Sequence, residues 1–117
     1  MNTRTLLNIY YDFYGQLLTQ KQQHIFKLYF EDDLSLAEIA QEIEVTRQAV
    51  HDILQRAEKQ LHHYEDKLLL VEKYLFQKEK ITQAYELLKQ AGNPDNIEKA
   101  RQILNSVIIA EETGLEE

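Results

Sequence analysis

The chain has 117 residues, 44% of them hydrophobic, with three Gly, one Pro and no Cys; that length suits one domain, or one domain with a helical extension. The absence of cysteine excludes a disulfide or a thiolate metal site. With no signal-peptide core after Arg4 and no apolar run of spanning length, the chain is expected in the cytoplasm, without membrane insertion. The net charge is −7, and neither half, divided after Tyr64, is basic; strong non-specific binding to nucleic acid needs a basic patch and is not expected.

So little Gly and Pro leaves few turns, and the expected fold is all-α. Residues 3–18 form the first helix. Leu6, Tyr10, Phe13 and Leu17 recur along one helix face, and Leu7, Tyr11, Tyr14 and Leu18 make a second stripe beside it. One core contact needs about one stripe, so the double width predicts cover on two sides, by the chain's own domain and by another helix or subunit. Thr19 with Gln22 is a capping box. It starts a helix running from Gln20 to about Phe30, with Ile25, Leu28 and Tyr29 inward. Glu31, Asp32 and Asp33 follow as a solvated connector; three neighbouring carboxylates without spaced partners do not make a metal site.

From Ser35 to Gln60, SLAEIAQEIEVTRQAVHDILQRAEKQ reads as two short helices meeting at a tight turn. Ser35 with Glu38 is another capping box, flanked by Leu34 and Ile39 as a hydrophobic staple. Thr46 is an N-cap, and Val45 with Val50 repeats the staple. Helix starts eleven residues apart leave two turns of first helix and a turn of three or four residues, which is helix-turn-helix spacing. Ile39, Ala40, Ile43 and Val45 face Val50, Ile53, Leu54 and Ala57, with Ala40 at the closest approach. Gly usually follows such a first helix in a left-handed conformation. Glu44 stands there instead, which points to a wider variant of the turn. An ordinary αα-hairpin in a helical bundle is the alternative.

Ala57, Leu61, Tyr64, Leu68, Val71 and Leu75 then hold an unbroken heptad seam. The helix should therefore run well past Gln60, with at most a kink near His62–Glu65. Ile81, Ala84, Tyr85 and Leu88 continue in a shifted phase, which places a break or reorientation near Gln77–Lys80. Gly92 suits a C-cap and Pro94 the start of a last helix, whose inner face reads Ile97, Ala100, Leu104, Val107 and Ile108. The expected organisation is a helix-turn-helix domain over 1–64, a C-terminal helical extension over 65–112 and an acidic tail over 113–117. Two amphipathic helices with no third element must lie on the N-terminal domain or pair with another chain. With the double stripe, this predicts a homodimer, and Leu7, Tyr11, Tyr14, Leu68, Val71 and Leu75 are its candidate dimer or partner contacts. A compact monomer, its last helices folded over Leu7, Tyr11 and Tyr14, is the other arrangement.

Catalysis has little to stand on. There is no Gly-rich phosphate loop, P-loop lysine or cysteine nucleophile, and His24, His51, His62 and His63 are nowhere paired at i,i+4. The chain reads as non-enzymatic, with no cofactor and no metal. Nucleic-acid readout has more support. Burying Val50, Ile53, Leu54 and Ala57 turns Gln48, Asp52, Gln55 and Lys59 outward, with Arg47, His51 and Arg56 at the flanks. The N-terminal part of such a helix enters the major groove, so Arg47, Gln48 and His51 stand nearest base edges, where Arg suits guanine and Gln adenine. Amides near Ser35 and Thr46 can hold phosphates, and Lys21, Arg56 and Lys59 add charge. Asp52 at the centre of this face, with Glu42, Glu44 and Glu58 nearby, opposes phosphate.

Residues 18–61 resemble region 4 of bacterial sigma factors, the domain that reads a promoter element, above all through SLAEIAQEIEVTRQAVHDILQRAEKQL. Over roughly residues 3–110 the chain resembles, more narrowly, the YlxM family of small bacterial proteins. The Tyr-rich NIYYDFYGQLLTQKQQ, the acidic LYFEDDLSLAEIA and the VTRQAVHDILQRAE helix carry that resemblance. It implies a sigma-region-4-like domain with extra C-terminal helices. It also implies a partner in the signal recognition particle (its GTPase, its RNA or both), because members are typically encoded beside that GTPase. A sigma-type reading role would fall on Arg47, Gln48, His51 and Gln55. The favoured expectation is a regulatory accessory of the signal recognition particle pathway that acts through protein or RNA contacts. The alternative is a transcriptional regulator that binds double-stranded DNA as a homodimer.

Overall fold

The computed structural model describes residues 1–90 and 92–113. Among these the chain forms six α-helices and one 3₁₀ turn, with no strand: α1 (Thr3–Tyr14), the 3₁₀ turn (Gly15–Leu17), α2 (Gln20–Phe30), α3 (Leu36–Ile43), α4 (Arg47–Leu68), α5 (Leu70–Leu88) and α6 (Pro94–Thr113). The all-α fold with its helix-turn-helix is the one expected. The acidic tail lies outside the described residues from position 114 onward. The helices fall into two compact units, Met1–Val71 and Glu72–Glu117. No described helix is long and apolar enough to cross a membrane.

In the first unit the sequence-encoded caps are made. The Thr19 and Ser35 hydroxyls accept from the amides of Gln22 and Glu38, whose side chains accept from the Thr19 and Ser35 amides in return. The Thr46 hydroxyl accepts from the Ala49 amide at 3.0 Å. Such reciprocal bonds satisfy donors that a helix start otherwise leaves bare. Ile39, Ala40, Val50, Leu54, Ala57 and Leu61 are buried, so α3 and the first half of α4 share one core with α1 and α2.

Three expectations for this unit need correction. First, α1 ends at Tyr14 rather than at residue 18, because Gly15 begins a 3₁₀ turn closed by the Leu18 amide donating to the Gly15 carbonyl. Second, α2 buries Phe26 and Phe30 beside Ile25 and Leu28, while Tyr29 stays half-exposed. The reason is an aromatic ladder: Tyr11 stacks on Phe26 with centroids 4.5 Å apart, and Phe26 on Phe30 at 4.3 Å. Third, the turn between α3 and α4 is not widened. Glu44 itself takes the left-handed conformation, φ 59° and ψ 47°, and the Val45 amide donates to the Ala40 carbonyl at 3.0 Å. That six-to-one bond is the usual helix-ending motif, held here at a cost of about 1–2 kcal/mol for a non-glycine residue.

The heptad seam does not run unbroken. Leu69 is left-handed, φ 55°, and separates α4 from α5; no break occurs near Gln77–Lys80, where α5 is continuous. Two buried polar side chains hold the break open. The Tyr14 hydroxyl donates to Glu65 Oε1 at 2.5 Å and accepts from the Leu70 amide at 3.1 Å. Glu65 Oε1 also accepts from the Val71 amide at 3.0 Å. Together they take the first amides of α5, which a continuous helix would have bonded to α4 carbonyls. Burial, and then the bond to Glu65, push the Tyr14 hydroxyl up to about 12.

The second unit is an antiparallel helix pair. Gln77 of α5 donates to Glu111 of α6 at 2.6 Å, and Asn96 of α6 donates to Gln90 at 2.6 Å. Gly92 has φ +85°, which suits glycine, and Pro94 opens α6 as expected. The expected inner face of α6 holds in part. Ala100 is buried and Val107 half-buried as expected, but Asn96 and Ala110 join them inside, whereas Ile97, Leu104 and Ile108 face outward.

Candidate functional site

The outer face of α4 is set by what its inner face buries. Val50, Leu54, Ala57 and Leu61 point into the core, and helix periodicity leaves Arg47, Gln48, His51, Gln55, Arg56 and Lys59 exposed. The α3–α4 turn fixes where this face begins, since the Thr46 cap and the left-handed Glu44 define the angle of entry.

These residues form two groups rather than one. Arg47, Gln48 and His51 line a shallow cleft of about 330 Å³ with Leu36 of α3. Arg56 and Lys59 line a second concavity of about 500 Å³ with Gln22, Gln60 and His63. Lys21 is exposed at the start of α2, next to Gln22, and Gln55 lines neither concavity. Sequence reasoning missed Gln22, Gln60 and His63. The signal was present for two of them, since Gln60 follows Arg56 by four residues and His63 follows Lys59 by four, on the same helix face. Ser35 and Thr46 sit at helix starts with their hydroxyls already engaged by their own helices.

Electrostatics divide the two groups further. Gln48 Nε2 donates to Asp52 Oδ1 at 2.9 Å, and His51 Nδ1 stands 3.7 Å from the same oxygen. The amide that would read adenine is thus bonded within its own helix, beside an exposed carboxylate. Glu38, Glu42 and Glu44 add acid on α3 and the turn. Hydrogen bonds from Ser35 hold the Glu38 carboxyl below its ordinary range, so it stays ionised. The Arg56–Lys59 group has three nitrogen-bearing neighbours and no carboxylate in its lining.

The candidate dimer or partner contacts scatter. Leu7, Tyr14 and Val71 are buried inside the first unit and offer a partner no surface. Tyr11 is half-buried against Phe26, Leu75 is half-buried, and Leu68 is exposed. The stripe expected to meet another subunit is therefore the core stripe of α1. Among the described residues no three His, Asp or Glu side chains gather as a metal site.

A family model described as "Putative helix-turn-helix protein, YlxM / p13 like", UPF0122, matches residues 1–103. The chain belongs to the UPF0122 family. A UPF0122 protein of Desulforamulus reducens is 44% identical over 105 residues, covering 87% of this chain and 90% of the relative. UPF0122 proteins of Bacillus mycoides and Bacillus thuringiensis are 41% and 40% identical over 103 residues, each covering 88% of this chain and 92% of the relative. UPF0122 is thus described by its helix-turn-helix and not by a reaction, and the match spans all of the first unit and residues 72–103 of the second.

Proposed function

We propose that this UPF0122 protein is a non-enzymatic regulatory module that binds protein or RNA through its helix-turn-helix domain. In that role it serves as an accessory of the signal recognition particle, through the particle's GTPase, its RNA or both. The observation that carries the protein-or-RNA reading is the Gln48–Asp52 bond. It engages one N–H of the base-reading amide and sets a negative charge where the major groove would bring phosphates. The particle as partner comes from the YlxM resemblance. The Arg56–Lys59 concavity supports a polyanion contact set two turns away from the reading tip.

The intact turn and caps favour a second reading, a DNA-binding regulator acting as a homodimer. Two substitutions separate the readings. Asp52→Asn removes the charge but keeps an acceptor for Gln48, whereas Asp52→Ala removes both. Purified protein is titrated against the particle's RNA, its GTPase and a panel of DNA duplexes. The expected result is binding to the RNA or the GTPase that survives Arg47→Ala and Gln48→Ala, with duplex affinity rising for Asp52→Asn and further for Asp52→Ala. Nanomolar binding of one duplex by the wild type in physiological salt, with neither particle component bound, refutes the proposal.

A further inference from the structure

We propose that one face of the α5–α6 hairpin pairs with the same face of a second copy, about a two-fold axis parallel to the helices, as a four-helix bundle. On α5, Tyr74, Ile81, Tyr85 and Leu88 recur at steps of seven, four and three, and on α6 Ile97, Leu104 and Ile108 recur at seven and four. All seven are between 36 and 61% exposed. The residues that face the partner helix are Ala84 on α5 and Asn96, Ala100 and Ala110 on α6. On both helices the exposed stripe lies about a quarter-turn from that buried line, in the same rotational sense. Because the helices are antiparallel, equal rotations bring both stripes to one side of the hairpin. The opposite side carries Glu72, Glu79 and Glu86 with Gln102 and Ser106, all exposed, and a single large apolar side chain in line with them, Ile109.

The bare side offers roughly 600 Å² of large apolar side chain, at the upper end of what a monomer leaves uncovered and near the ~800 Å² that each partner buries in a stable interface. The area fits a second copy, and the spread of charge favours one axis over the other. Lys78 and Lys89 stand on the α5 edge of this side, their ammonium groups over the rings of Tyr74 and Tyr85 at 5.8 and 5.7 Å, and Lys89 also pairs with Glu86 of its own helix at 3.6 Å. Glu98 and Glu111 belong to α6, and Arg101 is already bound to Glu98 at 2.7 Å. The hairpin's own bonds set residue 77 level with 111 and residue 90 level with 96. A two-fold axis parallel to the helices preserves those levels and lays α5 of one copy antiparallel on α6 of the other. Ile81 then falls between Leu104 and Ile108, Lys89 comes level with Glu98, and Lys78 lies near the Glu111 end. The other two-fold pairing, α5 on α5, sets lysine stripe against lysine stripe.

The test uses the full chain, which has no cysteine of its own. Sedimentation at micromolar concentration should give twice the chain mass, and Ile81→Glu or Leu104→Glu should each raise the dimer dissociation constant by about 100-fold or more, as expected for a charge placed in a buried interface centre. Circular dichroism confirms that helix content is kept. A mixture of chains carrying Leu88→Cys and Ile97→Cys should cross-link as a mixed pair with a short bis-maleimide. A wild type that stays monomeric overturns the proposal and leaves the face to a different protein. A dimer indifferent to Ile81→Glu, or one without the mixed cross-link, overturns it equally.

Discussion

Replacing Tyr14 by Phe removes one oxygen atom from a buried site and tests why α4 and α5 are separate helices. Tyr14 is 1% exposed and Glu65 7%, so water cannot take over the lost bonds. The carboxylate loses the hydroxyl that donates to it, and the Leu70 amide loses its acceptor. A hydrogen bond to a charged group is worth about 1.5–3 kcal/mol, and a buried amide left bare costs about 1 more. The expected loss is about 3 kcal/mol, or about 15 °C in Tm for a unit of this size. Urea unfolding should show a lower midpoint with an unchanged slope. A pH series supplies the signature. In the fold the Tyr14 hydroxyl is pushed up to about 12, against an ordinary value of 10. The protonated form is therefore the one the fold favours, and its contribution is complete below pH 10 and disappears between pH 10 and 12. Wild type should lose stability in that window, and Tyr14→Phe should lose less of it. A variant within 1 kcal/mol of wild type, with the same alkaline profile, refutes the account of the helix break.

Two further expectations concern single atoms in the first unit. Thr46→Ala removes the acceptor of the Ala49 amide and should cost about 1 kcal/mol in chemical unfolding with no loss of helix content. Gly15→Ala places a methyl group 2.9 Å from the ring of Tyr11, which is held by its stack on Phe26; overpacking of this kind costs about 1–3 kcal/mol, read as a lower Tm and a changed near-ultraviolet tyrosine signal.

What could be read in advance follows from how far each signal reaches along the chain. The capping boxes at Thr19 and Ser35 and the N-cap at Thr46 were legible because each is set within four residues and needs nothing else. The helix break was not legible. Periodicity sees apolar residues at 57, 61, 64, 68, 71 and 75 and continues the helix through them, whereas the group that interrupts it, Tyr14, lies 51 residues from Glu65 in sequence. Glu44 shows the converse case. Its residue type argues against a left-handed turn, yet the packing of Ile39 and Ala40 against α4 fixes the geometry and Glu44 conforms. On α6, hydrophobicity placed Ala100 and Val107 inside correctly and Ile97, Leu104 and Ile108 wrongly. Close antiparallel approach selects small side chains for the contact line, so Ala100 and Ala110 go inside and the larger Ile97, Leu104 and Ile108 remain outside.

At the candidate site the direction of each side chain was legible and its engagement was not. A helical repeat places Arg47, Gln48, His51 and Asp52 on the outer surface of α4 whatever they bind. Whether Gln48 is free to read a base depends on a bond to Asp52 four residues on, a pairing that helices support when the two types stand at that spacing. Asp52 therefore bears on this face twice, through its charge and through its hold on one N–H of the neighbouring amide. The Arg56–Lys59 group has neither constraint, because the next carboxylate on α4, Glu58, is half-buried on a different face. One helix thus carries a base-facing end where one Gln48 N–H is already bonded to Asp52, and a cationic stretch with no carboxylate in its lining. A sequence-specific DNA reader needs phosphate contacts that position the protein and side chains at the helix start that are free to supply the choice of base.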